Sequence, residues 1–343
     1  MTRIKAKSPD SVLADSLVTH LQSYFVSALD GLSSEIGESK KFEPIEWFRQ
    51  EGEFGGGVRY VSTDDRLFNR ASVNISQVQY ESEPSKALGS ATALSTIIHP
   101  RNPYAPSIHM HVSWTEMKDG KGYWRMMADL NPSIFDMDDT MEFQASLEKS
   151  SKDYYAEASK QGDKYFYIPV LKRHRGVSHF YLEDFKTEDK EADLQMAKHL
   201  VENVIDTYVK IIKNQIIKNA EISEEAKDKQ LDYHTLYLFQ VLTLDRGTTS
   251  GLLVHNENDV GILGSIPSHV NKALLLSWKE KMPKGQEELV QALANCLDET
   301  GSVEEKQKIE LAEAVRSFYI KNPEALKMQA SGNVSVPTVQ NHK

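Results

Sequence analysis

Ser95-Thr-Ile-Ile-His99-Pro-Arg-Asn-Pro-Tyr-Ala-Pro-Ser-Ile-His109-Met-His111-Val-Ser-Trp114 decides the fold class. β-Branched and aromatic residues fill 96–99 and 108–114, while three prolines and Asn102 force an irregular loop between them, so the stretch reads as two strands joined by a rigid connection. Runs of the same texture lie at 58–62 and 73–80 before it and at 124–130 after it, with 165–169 and 179–185 as a further pair. The middle of the chain therefore reads as an antiparallel-rich sheet. Gly55-Gly56-Gly57 precedes the first of these runs; it suits a flexible turn or a close backbone approach, and alternatively a ligand-facing loop.

Helices bracket this sheet. Residues 11–32 repeat Leu13, Leu17, Leu21, Phe25 and Leu29 on one face, and 191–219 carry a stripe from Leu194 to Ile216. A further helix is expected over 138–160, opened by Asp138 and Asp139, whose charges suit a helix N-terminus. Residues 233–245 alternate with heavy apolar content and read as a buried strand, 245–248 as a turn, and 260–265 as a last strand. Helical segments at 287–297 and 303–320 follow, then a polar stretch over 331–343. The order is α+β: a large, mostly antiparallel sheet flanked by helices, in one domain over 1–297, followed by a C-terminal helical extension over 298–343 with a polar tail.

Forty Lys and Arg face 50 Asp and Glu among 343 residues, a net charge of −10. That balance opposes broad binding to nucleic acid or anionic lipid, and an anionic ligand needs a local basic patch. Cys296 is the single cysteine, which rules out an internal disulfide and suits a reducing cytosol. The N-terminus lacks an apolar stretch of signal-peptide length, and nowhere do the roughly 18 apolar residues of a membrane span run together. The chain reads as soluble and cytoplasmic.

The glycine-rich phosphate loops, the GxSxG elbow and the HExxH helix are all missing, so the common nucleotide, hydrolase and metalloprotease chemistries lack their starting feature. The rigid loop between His99 and His111 is the densest constellation. Its imidazoles offer a ligand site or a metal site, with a purely structural hairpin as the alternative, and Arg101 offers a guanidinium for a carboxylate. Asp129, in Ala128-Asp-Leu-Asn-Pro132, either caps a following helix or projects into a cleft. Arg246, in Asp245-Arg-Gly-Thr248, is placed either to grip an anion or to pair with Asp245.

Taken in order, the segments resemble one family, the oxygen-dependent coproporphyrinogen III oxidases of haem biosynthesis. They are Trp47-Phe-Arg-Gln-Glu-Gly52; Phe68-Asn-Arg-Ala-Ser-Val-Asn-Ile-Ser76; Ser95 with the His99 loop and His109; Ala128-Asp-Leu-Asn-Pro132; Tyr165-Phe-Tyr-Ile168; Phe180-Tyr-Leu-Glu-Asp184; Asp245-Arg-Gly-Thr248; and Ile262-Leu-Gly-Ser-Ile-Pro267. The resemblance implies a large flat antiparallel sheet between helices and a homodimer formed through the C-terminal part. It also implies oxidative decarboxylation of two propionates of coproporphyrinogen III to vinyl groups, giving protoporphyrinogen IX, with molecular oxygen as co-substrate and no organic cofactor. In that picture Asp129 lies against the pyrrole N–H groups, His109 donates a proton, and Ser95, Arg101, Asn102, His111, Ser113, Arg125 and Arg246 contact the porphyrinogen.

Several positions depart from the family's pattern. Its Asn-x-Arg element after the histidine is replaced by His111-Val-Ser113, and its glycine triplet before the aspartate by Arg125-Met-Met127. Arg125 is a candidate to restore the lost guanidinium, whereas Met126 and Met127 add bulk. A four-histidine set associated with metal in bacterial members retains only His99 and His109, the others falling at Gln144 and Val170, so no metal is expected. An Arg-rich run and a Gly-Gly-Arg are replaced by Tyr233-His-Thr-Leu236 and Asn256-Glu-Asn258. The departures leave a second reading, a non-catalytic or substrate-shifted paralogue that binds a tetrapyrrole or another planar anionic ligand.

Overall fold

The computed structural model of the chain describes residues 1–331 and residue 339; apart from those two positions, the polar tail expected over 331–343 lies outside the described residues. Helix α1 (Pro9–Ile36) starts at a serine cap, Ser8 accepting from the Ser11 N–H, and buries Leu17, Leu21, Phe25 and Leu29. Strands β1 (Glu43–Phe48), β2 (Gly55–Val61), β3 (Phe68–Gln79), β4 (Leu88–Pro100), β5 (Ser107–Met117) and β6 (Gly122–Asn131) follow as a meander. Next come α2 (Met137–Ser151), α3 (Tyr155–Tyr165), the two-residue strands β7 (Tyr167–Ile168) and β8 (Arg173–His174), then β9 (Ser178–Phe185) and α4 (Lys190–Lys218). Helices α5 (Glu224–Thr243), α6 (Arg246–Val254), α7 (Asp259–Ile262), α8 (Lys272–Ser277), α9 (Glu287–Asn295) and α10 (Glu305–Lys321) complete the chain. β1 to β6 and β9 form one antiparallel sheet of seven strands among the described residues, in the order β1-β2-β3-β4-β5-β6-β9.

Period-two alternation sorts the sheet into two faces. One face, with Val73, Leu94, Ile98, Ile108, Met110, Val112, Met126 and Leu130, packs with α1, α2 and α4 into the first core. A second core joins α5, α6, α8, α9 and α10, with Leu311, Val315, Phe318 and Tyr319 supplied by α10. The opposite face of the sheet looks toward this C-terminal helical layer, and the candidate site lies between them. No helix among the described residues is long and apolar enough to cross a membrane.

The α+β expectation holds, as do the central strands and the helices at 11–32 and 191–219. Five local readings change. The helix expected over 138–160 is broken after Ser151, where Lys152 takes a left-handed φ of 46°. The 165–169 strand shrinks to β7, which pairs with β8 instead of joining β9. Residues 233–243 form the C-terminal half of α5, buried at every position; enclosure on all sides removed the polar stripe that marks a helix. Residues 245–248 are the cap and first turn of α6, and 260–265 hold the end of α7 and a turn where a strand was expected.

The glycine triplet belongs to β2. A Cβ on Gly57 would strike the Ile75 carbonyl and the Trp47 indole, and Gly55 adopts a φ of 97°. Close backbone approach is the physical reason for these glycines.

Candidate functional site

A cavity of about 310 Å³ has the sheet as its floor and residues of α6, α7 and the segment from His255 to Ser265 as its roof, within the size range of small-molecule sites. Floor residues come in cross-strand rows. One runs Asn74, Ser95, His111, Met127 and another Ser76, Ala93, Ser113, Arg125. Within the first row His111 is hydrogen-bonded through Nδ1 to Ser95 Oγ at 2.7 Å and through Nε2 to Ser113 Oγ at 3.0 Å. Burial, then the positive charge of Arg125, holds the His111 pKa well below the usual histidine value.

A neighbouring row sets His109 directly beside Asp129, and Asp129 beside His179. Arg175 ties the polar groups of β5 and β6 together. Its Nη2 donates to His109 Nδ1 at 2.9 Å and to Asp129 Oδ2 at 3.0 Å, and its Nε donates to Asn131 Oδ1 at 2.9 Å. A guanidinium has no acceptor, so His109 Nδ1 must accept and its proton must sit on Nε2. Burial and the Arg175 charge push the His109 pKa down to about 3. His109 is therefore a neutral Nε2–H donor on the cavity wall. On the far side, His179 Nε2 lies 3.4 Å from Asp129 Oδ1 and its Nδ1 lies 2.8 Å from Asp163 Oδ1. Burial opposes the imidazolium, yet the Asp129 and Asp163 carboxylates raise the His179 pKa.

The third group surrounds Arg125. Its guanidinium sits 5.5 Å from the Tyr181 ring centroid, Nη2 donates to the Tyr165 hydroxyl at 3.5 Å, and Nε is buried without a partner. Tyr165 donates to Asp245 Oδ2 at 2.9 Å, while Asp245 Oδ1 caps α6 by accepting from the Thr248 N–H at 2.6 Å. Burial works against the Asp245 charge, but the Thr248 N–H, Arg125 and the Tyr165 hydroxyl bring its pKa below the ordinary value. An ionised Asp245 thus shares the wall with Arg125.

Ser95, His109, His111, Ser113 and Arg125, all named from the sequence, line the cavity together. Others do not. Asp129 neither caps a helix nor reaches the cavity; it is completely buried in β6, and a Cβ on Gly176 would collide with its carboxylate. Arg101 donates to the Asp65 and Phe68 carbonyls, and Asn102 donates to the Asn219 carbonyl, so both anchor the loop after β4. Arg246 pairs with Glu183 rather than with Asp245, and also donates to the Tyr181 hydroxyl at 3.3 Å. His99 is hydrogen-bonded to Ser107 Oγ at 2.8 Å and packs against Tyr237. Of the expected basic patch only Arg125 lines the cavity. A second guanidinium went unread: Arg59, in the row of Asn74 and Ser95, is buried with Nε and Nη1 unpartnered and lies against Gly261 of the roof. Arg175 and His179 were missed too: 170–178 carry no periodicity to give the Arg175 side chain a direction, and the expected 179–185 strand left the partners of His179 unspecified.

A model of the coproporphyrinogen III oxidase family matches residues 14–298. Among curated proteins, the oxygen-dependent coproporphyrinogen-III oxidase of Drosophila melanogaster is 28% identical over 306 residues, covering 82% of this chain and 76% of that protein. The protein of the same name from Rickettsia bellii strain OSU 85-389 is 28% identical over 282 residues, covering 76% of this chain and 98% of its own length. The mitochondrial enzyme of Rattus norvegicus is 30% identical over 253 residues, 66% of this chain, and the chain spans only 56% of its length. With the match extending over both the sheet and the helical layer that enclose the cavity, the chain belongs to the coproporphyrinogen III oxidase family.

Proposed function

We propose that this chain is an oxygen-dependent coproporphyrinogen-III oxidase, converting two propionates of the substrate to vinyl groups and releasing protoporphyrinogen IX. Each propionate loses CO2 and two hydrogens, and oxygen takes up those hydrogens as H2O2, so the balance needs no organic cofactor. The observation that carries this reading is His109, locked by Arg175 as a neutral Nε2–H donor on the wall that also holds Arg125. Arg125 and Arg59, each with unpartnered buried N–H groups, are the guanidiniums available to propionates. Asp129 serves as a positioning residue, fixing Arg175 and through it the His109 tautomer.

Aerobic incubation with anaerobically prepared coproporphyrinogen III, read by protoporphyrin fluorescence after oxidation, tests the proposal. Product should form, and His109→Ala should slow it about 10²- to 10³-fold, the usual loss for one hydrogen-bond donor aimed at developing negative charge. Absence of product with porphyrin still quenching the protein's fluorescence supports the binding paralogue, which the sealed position of Asp129 favours. Neither signal indicates another substrate. A cytoplasmic homodimer belongs to the same proposal on the family resemblance, and light scattering on the eluting protein checks the dimer.

A further inference from the structure

Outside the cavity, where α3 ends and β8 and β9 begin, Asp163, His174 and His179 bring one donor atom each to within 4.8 Å of one another. The His174 and His179 rings lie 4.9 Å apart at an interplanar angle of 36°. His174 is held in place by a hydrogen bond from Nε2 to the Asp163 carbonyl at 2.9 Å, since that oxygen can only accept. Solvent reaches the group from one side, because the Asp163 side chain is 61% exposed while that of His179 is 4% exposed.

Two imidazoles and a carboxylate are a donor set that takes Zn2+ and the neighbouring divalent first-row ions, with further positions left for water. What lifts this cluster above a chance grouping lies behind it. His179 Nε2, turned away from Asp163, faces Asp129 Oδ1 at 3.4 Å, and both atoms are buried without another hydrogen-bond partner. A carboxylate behind a ligating histidine fixes the ring and its tautomer, and such partners accompany most protein metal sites. The backbone makes room for the arrangement: a Cβ on Gly162 would press on His179, and one on Gly176 would press on Asp129.

We infer that Asp163, His174 and His179 form a binding site for a divalent transition-metal ion, with His179 ligating through Nδ1 and presenting its Nε2–H to Asp129. This inference departs from the sequence expectation of no metal, which rests on the loss of a histidine set that includes His99 and His109; the present site uses neither. Nor does it rest on the proposed reaction: the ion sits on the opposite side of Asp129 from the cavity and acts on the His109 network only by orienting His179.

The test is titration of the EDTA-treated full-length chain with Zn2+ by calorimetry, with Co2+ and visible absorption as a second probe of imidazole ligation. Wild type should take up one ion per chain. Asp163→Asn and His174→Ala, both at accessible positions, should each weaken binding at least about tenfold while leaving the circular dichroism spectrum unchanged. His199→Ala, on the exposed face of α4, should bind as wild type does. Failure of wild type to bind either ion would overturn the inference, and so would equal affinity in the Asp163 and His174 variants.

Discussion

At Arg175 a single Nη2 serves both the buried Asp129 carboxylate and the His109 ring. Arg175→Leu keeps the volume but leaves that carboxylate without its cation. Such a loss costs about 3–5 kcal/mol, and urea unfolding of the variant should show it; an unchanged midpoint would mean that His179 alone neutralises Asp129. Arg125 makes a two-part prediction, because it is bonded to Tyr165 and faces Asp245 while its Nε–H has no partner. Arg125→Ala should lower stability by leaving the buried Asp245 carboxylate with less compensation, and should raise KM for a carboxylate-bearing porphyrinogen. One charge-assisted hydrogen bond of about 1.5–3 kcal/mol corresponds to a rise of about 10- to 150-fold. Steady-state kinetics separates this from a loss in kcat, which would place Arg125 in the chemistry.

Among the elements, β2 shows how tightly the sheet is built. Gly57→Ala sets a methyl group against the Ile75 carbonyl and the Trp47 indole, an overpacking that costs about 1–3 kcal/mol; thermal unfolding should register it. Strands such as β5 were readable because Ile108, Met110, Val112 and Trp114 alternate with His109, His111 and Ser113, and this same alternation delivered the cavity-lining residues in advance. Helix α5 was unreadable for the reason that makes it useful. From Tyr233 to Thr243 it is wrapped by protein, and a short apolar run without a polar stripe fits a strand as well as a helix. Arg175 stayed hidden because tertiary packing, not local pattern, aims it at Asp129. Arg101 and Asn102 misled because a polar side chain in a rigid loop satisfies the loop's own carbonyls as readily as a ligand.

For the molecule as a whole, two cores meet across the cavity layer, and neutral buried histidines stand on the cavity-facing side of the sheet and in the helical layer against it. His109 and His234 have pKa values pushed down to about 3, and His99 lies well below the histidine norm; burial is the leading cause in each. Unfolded, these groups titrate near pH 6.5. Between that pH and the folded values the unfolded chain binds more protons, so the stability they confer is present above about pH 6.5 and falls as the pH drops, by about 1.4 kcal/mol per pH unit for each group. Denaturant titrations at pH 7 and pH 5 should show this loss, and His234→Gln should reduce it. Truncation before Glu305 removes Leu311, Val315, Phe318 and Tyr319 from the second core together with the Tyr319 hydrogen bond to the Thr243 carbonyl. The shortened chain should unfold at a markedly lower temperature, and an unaltered melting curve would show that α10 adds nothing to the rest.

The two-sided sheet also bears on how such a chain can drift in descent. On β4, Ser95 and Ile97 touch the cavity while Leu94 and Ile98 touch the first core, so neighbouring positions answer to separate demands. A lineage can exchange the residues of one set, as in Ser113, Arg125 and Met127, and change what the protein accepts without disturbing the scaffold. A fold with this division of labour can keep its shape while the lining of its cavity changes, so that modest identity to relatives leaves the frame in place.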